Sequence, residues 1–183
     1  MKNETAVFGG GCFWCTEAIF KMLIGIKSVT PGYAGGHAES PDYYQVCSGT
    51  TGHAEVIKIE YDADVIRYED LLEVFWQAHD PTTKNRQGND IGTQYRSIIL
   101  FLDSEQKKKA EESLEKANAS GQFKKAVVTE IKPLENFYEA EDYHRDYFEN
   151  NPNQPYCRAI ISPKVAHFLE KNQERVKNPP KSM

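Results

Sequence analysis

The chain has 183 residues, 39% hydrophobic and 27% charged, enough for one soluble domain that buries about 70% of its unfolded surface. Its net charge of −5 comes without a basic block, which argues against nucleic acid, and no apolar run approaches the roughly 20 residues that cross a bilayer. Met1 to Ala6 meets a glycine run before any signal-like region could form, so the cytoplasm is the expected compartment, where thiols stay reduced unless redox chemistry needs otherwise.

Ala6–Phe8 reads as a strand, Gly9 to Gly11 as a turn, and Thr16 to Leu23 as a helix starting near Cys12. Unpaired amides and the helix dipole favour negative charge at such a start, so Cys12 is expected to be an activated thiolate. Val29 to Gly36 carries Pro31, Gly32, Gly35 and Gly36, so a strand there should be broken or bulged. Ser40-Pro41-Asp42 is a turn signal, and Tyr43 to Cys47 a short helical piece. Glu55 to Tyr61 alternates with period two, with Ile57, Ile59 and Tyr61 on one face and Lys58 and Glu60 on the other. Glu55 falls on the apolar face. Desolvated there, it would stay protonated and could serve as a general acid; on a frayed strand end it would simply meet water.

Tyr68 to His79 has amphipathic helical spacing and is stopped by Asp80-Pro81. Pro81 to Thr93 is a polar loop, Tyr95 to Leu102 a buried strand, and Asp103-Ser104 caps a helix that closes at Gly121. Lys107, Lys108 and Lys109 form a solvated face of that helix. Ala126 to Ile131 reads as a strand, and Glu139 to Phe148 and Lys164 to Lys171 as shorter helices flanking Asn151 to Pro155. Asn178-Pro179-Pro180-Lys181 is linker-like. The order of the first six elements is that of a ferredoxin-like split βαβ core, predicting an α+β two-layer sandwich with a mixed sheet. A single domain over 1–183 is expected, with 149–183 a C-terminal segment bearing Cys157 and a short helix.

Four cysteines, Cys12, Cys15, Cys47 and Cys157, in a reduced compartment point to chemistry or metal. Cys12-Phe13-Trp14-Cys15 is C-x-x-C. Zinc would need further ligands at close spacing, whereas Cys47 and Cys157 are distant. His53-Ala54-Glu55 matches the H-x-E of zinc deaminases, but their P-C-x-x-C must follow it, and here the C-x-x-C precedes. Thiol redox or nucleophilic chemistry fits the helix start. A cysteine acyl-transfer enzyme with His53 as base and a zinc-stabilised interaction domain remain rivals. Phe13 and Trp14 are either core residues or an apolar wall for a small substrate group. Cys47 reads as a buried small hydrophobe, His37 and His167 as surface residues, and His53, His79 and His144 as hydrogen-bonded supports.

Gly11-Cys12-Phe13-Trp14-Cys15 resembles the active-site motif of the peptide-methionine (S)-S-oxide reductases, the A-type methionine sulfoxide reductases. Further stretches match that family in order: 32–36, 43–49, Gly52-His53-Ala54-Glu55, His79-Asp80-Pro81, 87–90, 92–97, 140–144 and Pro155-Tyr156-Cys157. The resemblance implies that Cys12 attacks the sulfoxide sulfur and that Glu55 protonates its oxygen. It implies that Tyr43 and Tyr95 hydrogen-bond that oxygen, that Asp90 orders the polar groups, and that Phe13 and Trp14 hold the methyl group. Cys12 would become a sulfenic acid resolved by Cys157, or alternatively by Cys15, and thioredoxin or another dithiol would restore the thiols. Oxidised proteins and free methionine S-sulfoxide are the implied substrates in a protein-repair role. No metal or bound cofactor is implied, and a monomer is expected.

Overall fold

A computed structural model describes residues 2–178, so the linker-like stretch beginning at Asn178 lies almost wholly outside the described residues. The chain opens with β1 (Asn3–Gly10), α1 (Phe13–Lys21) and β2 (Ile26–Ala34). The short α2 (Tyr43–Cys47) precedes β3 (Ala54–Asp62), and α3 (Tyr68–Ala78) follows. A hairpin of β4 (Arg86–Gln87) and β5 (Asp90–Ile91) leads to β6 (Ser97–Phe101) and α4 (Ser104–Ala119). β7 (Glu130–Pro133), β8 (Phe137–Glu139), α5 (Tyr147–Asn150) and α6 (Ser162–Asn172) complete it.

The six-stranded sheet has the order β7-β6-β1-β3-β2-β8. Its central four strands, β6-β1-β3-β2, are antiparallel and interleave as a split βαβ pair requires, while β7 joins β6 in parallel. The alternation read in β3 decides which face is which. Ile57, Ile59 and Tyr61 join Ala6, Phe8 and Ile99 in a core shared with Phe20 and Leu23 of α1 and Leu71 and Phe75 of α3. Val7, Ala54, Val56, Ile98 and Leu100 form the opposite face, against Leu134 and Phe137. Burying each large side chain contributes roughly 1.5–3 kcal/mol, so the helix-facing core fixes the register of β3, and with it the side on which Glu55 points.

Several sequence expectations are corrected. Gly9 and Gly10 belong to β1, where a Cβ on Gly9 would lie 2.8 Å from Ile98 and 2.9 Å from the Glu55 carbonyl; only Gly11, at φ +91°, makes the turn. β2 runs through Pro31 and Gly32 unbroken, its one irregularity falling between Ile26 and Ser28. The polar loop after Pro81 contains the β4–β5 hairpin, and Tyr95 ends a 3-10 turn before β6 begins. Ala126 to Val128 carry no strand; the pairing with β6 starts at Glu130. The helix expected over Glu139–Phe148 is absent. Phe137–Glu139 pairs with β2, Asp142–His144 forms a 3-10 turn, and Asp146 at φ +54° lies outside the helical region before α5. No helix among the described residues is long and apolar enough to cross a membrane.

Candidate active site

α1 starts immediately after Cys12, which occupies the N-cap with extended geometry (φ −58°, ψ 125°). Beneath this start lies a small cavity of about 220 Å³ lined by Cys12, Phe13, Trp14, Tyr43, Glu55, Asp90, Tyr95 and Tyr156. The first seven are the residues singled out from sequence for the nucleophile, the acid, the oxygen contacts and the methyl wall, drawn from four separate parts of the chain. A larger depression of about 790 Å³ lies elsewhere, among Trp76, His167, Phe168 and Arg175, and no cysteine lines it.

Each residue is placed by local structure. Glu55 is the second residue of β3, opposite Tyr33, and is 2% exposed; its Oε2 accepts a hydrogen bond of 3.0 Å from the Phe13 amide. The frayed-end alternative therefore fails. Burial pushes its carboxyl up to about 8, opposed by the Phe13 amide and assisted by Asp90 and Cys15. At neutral pH this group carries its proton. Tyr43 begins α2, which Asp42 caps by accepting the Gln45 amide while the Gln45 side chain accepts the Asp42 amide. Tyr95 is held by its neighbour Arg96, whose guanidinium donates to the carbonyls of Thr93, Gly35 and Gly52. Burial raises the phenol pKa of both tyrosines, which therefore stay proton donors. Asp90, on β5, accepts the Tyr156 hydroxyl at 2.6 Å.

Phe13 and Trp14 pack in or against the main core and also line the cavity. Phe13 is 1% exposed within the main core yet also lines the cavity, and Trp14 stacks on Tyr147 at 3.7 Å between centroids.

The surroundings of Cys12 run against the thiolate expected from its helix start. Burial, hydrogen bonding to Cys15 and the nearby Glu55 hold the thiol well above its ordinary value, while the Trp14 amide acts the other way. The helix-start effect is present but smaller than desolvation. The Cys15 thiol is lowered by its hydrogen bond with Cys12, against burial and with help from Lys164. Cys157 is likewise fully buried; it packs with Cys12, Cys15 and Ile161 at the head of a π-helical turn, Cys157–Ile161. All three thiols are free. Cys47 is only half-buried; burial raises its thiol pKa while the neighbouring Tyr43 acts the other way.

His53 and His79 are buried and bonded on both ring nitrogens, the first to the Gly36 amide and Ala38 carbonyl, the second to Phe75 O and Ser97 Oγ. Tyr156 was given no role from sequence, although it stands beside Cys157 in a stretch matched to the family. Its hydroxyl in the cavity depends on how the C-terminal segment folds back over α1.

A family model described as peptide methionine sulfoxide reductase matches residues 4–177. The peptide methionine sulfoxide reductase MsrA of Saccharolobus solfataricus is 55% identical over 174 residues, covering 95% of this chain and 97% of the relative. Among solved structures, reduced Mxr1 from Saccharomyces cerevisiae superposes with a TM-score of 0.77 at 34% identity, covering 85% of this chain and 90% of the other. Mxr1 in complex with Trx2 matches with a TM-score of 0.55 at 22% identity, covering 80% and 85%, and adds a likeness of fold.

Proposed function

This chain belongs to the peptide methionine sulfoxide reductase family, and we propose that it reduces methionine S-sulfoxide, free or in oxidised proteins, at Cys12. It is an oxidoreductase of the MsrA type. The observation that carries the finer reading is the meeting of a buried thiol and a carboxyl that is protonated at neutral pH in a cavity that fits one side chain.

Phe13 and Trp14 take the methyl group, and the hydroxyls of Tyr43 and Tyr95 hold the sulfoxide oxygen, with Asp90 ordering them through Tyr156. Glu55 gives its proton to that oxygen, which makes the sulfur electrophilic; Cys12 Sγ bonds to it while the thiol proton returns to the Glu55 carboxylate, and the hydroxyl then passes to Sγ as the bond between the two sulfurs breaks and methionine leaves. In balance, the sulfoxide loses its oxygen and is reduced by two electrons to methionine, while the Cys12 thiol is oxidised to a sulfenic acid. The Cys157 thiol, or alternatively that of Cys15, then displaces water from the sulfenic acid and forms a disulfide. A thioredoxin dithiol returns the protein to its reduced form. Mxr1, a relative that forms a complex with Trx2, supports a thioredoxin reductant. The whole chain works as one catalytic unit, a monomer in the cytoplasm that needs no bound cofactor.

The test supplies the two sulfoxide epimers separately with thioredoxin, thioredoxin reductase and NADPH. NADPH is consumed with the S epimer alone. Consumption with the R epimer, or with neither, would refute the reading.

A further inference from the structure

Two side chains outside the cavity contact three residues that line it. His144 is wholly buried, and its imidazole lies 4.9 Å from the Phe13 ring, 5.7 Å from Trp14 and 4.7 Å from Tyr43, centroid to centroid. Trp14 Nε1 is 3.0 Å from His144 Nδ1. An indole nitrogen only donates, so Nδ1 is the acceptor and the imidazole proton sits on Nε2. That Nε2 is buried without a hydrogen-bond partner among the described residues and faces Glu141 Oε2 at 3.4 Å. The same carboxylate accepts the Tyr43 amide at 2.8 Å through Oε1 and the Tyr33 hydroxyl at 2.8 Å through Oε2. Glu141 and His144 are joined besides by the bond from the His144 amide to the Glu141 carbonyl, 2.9 Å, within the 3-10 turn Asp142–His144. One short turn thus grips the indole of Trp14 and the start of α2.

We propose that Glu141 and His144 are positioning residues that hold Phe13, Trp14 and Tyr43 in the arrangement that accepts a methyl sulfoxide. The inference deepens the proposed function and rests on the reading that the cavity takes methionine sulfoxide. Neither residue lines the cavity, so their effect passes through the three rings. The Trp14–His144 bond fixes the indole about its free torsions, and the apolar wall it forms meets the substrate before and during reaction. Loss of the bond therefore weakens binding more than it slows the chemical step.

The decisive variant is His144→Phe, which keeps a ring and removes the acceptor. The KM for methionine S-sulfoxide should rise about tenfold, the worth of one buried hydrogen bond, with kcat held within about threefold. The indole N–H resonance of Trp14 should move. His144→Asn places a carbonyl oxygen near the position of Nδ1 and should return both the resonance and KM towards the wild-type values. Should His144→Phe fail to fold, Glu141→Gln serves: with its oxygen kept on the Tyr43 amide, its NH2 faces the His144 Nε2 proton, donor against donor, so KM should rise and the Trp14 resonance shift. The proposal is overturned if the resonance moves while KM stays unchanged. It is equally overturned if the Phe and Asn variants lose kcat and KM alike, or if Glu141→Gln behaves as wild type. Wild-type protein that is inert towards sulfoxide would instead overturn the substrate reading on which the proposal stands.

Discussion

The Glu55 carboxyl reaches from β3 to accept the amide of Phe13 at 3.0 Å, one residue beyond Cys12. This bond ties the acid to the start of the helix that presents the thiol, and burial holds the carboxyl protonated up to about pH 8. Glu55→Gln keeps an acceptor for Phe13 but has no proton to give. The rate of sulfoxide reduction should fall by roughly 10²- to 10⁴-fold, with a much smaller change in KM. In the wild type the active form is the protonated one, so kcat should decline as pH rises through about 8. Rate measurements from pH 6 to 10 check both points, and a Gln variant with an undiminished rate would remove Glu55 from the acid role.

A second buried carboxyl makes a prediction about stability. Glu17, on α1 and 2% exposed, accepts the Asp146 amide at 3.0 Å and thereby fastens the segment that carries His144. Burial, opposed by that amide and reinforced by the Asp146 charge, pushes its pKa from 4.5 up to about 7. Between those values the folded protein holds a proton that the unfolded chain has released, so stability falls as pH rises from about 4.5 to about 7. The loss is roughly 3 kcal/mol at 1.36 kcal/mol per unit. Glu17→Gln keeps the acceptor and abolishes the titration. Urea unfolding at pH 5 and pH 8 should show the Gln variant losing less stability with pH than wild type; equal losses would show that Glu17 does not titrate in this window. Glu55 titrates in both proteins and drops out of the comparison.

The two carboxyls also show where sequence reading succeeds. Period-two alternation was enough to place Glu55 on the apolar face, because β3 is central and both its neighbours enforce one register. Glu17 sits on a helix whose buried stripe is broad, so no pattern distinguished it from a surface carboxylate. Cys12 was visible as a residue, but the direction in which its surroundings push the thiol was not. The helix start is local, whereas the desolvation that outweighs it comes from Trp14, Tyr156 and the C-terminal segment closing over the thiol. His144 and Glu141 lie where a helix was expected, and the 3-10 turn that joins them depends on the pairing of β8 with β2. Tertiary contacts overrode local propensity there.

Burial is the largest influence on the Cys12 thiol and pushes it up in the free protein. Absorbance at 240 nm, followed against pH in protein whose other cysteines are replaced by serine, should report a Cys12 pKa above the ordinary value near 8.5. Alkylation at neutral pH should be correspondingly slow. A pKa below 7 would restore the resident thiolate and shift the burden of activation from substrate docking to the helix start.

The last prediction concerns resolution. Cys157 is wholly buried among Tyr147, Phe148 and Tyr156, so a dithiol reductant cannot reach it in this conformation. The segment must open, and two features bear on how it does. Its π-helical turn is a local departure from regular helix, a form often met at functional sites. The Tyr156 hydroxyl, one residue before Cys157, holds the segment down by its 2.6 Å bond to Asp90. Reduction of the disulfide by thioredoxin should therefore be slower than its formation between thiols already packed together. Tyr156→Phe removes the latch and should speed that reduction in rapid-mixing experiments. Peptide mapping of the product should find Cys12 joined to Cys157. A Cys12–Cys15 product, reduced at the same rate with or without the Tyr156 hydroxyl, would assign resolution to the first turn of α1 and leave Cys157 a packing residue.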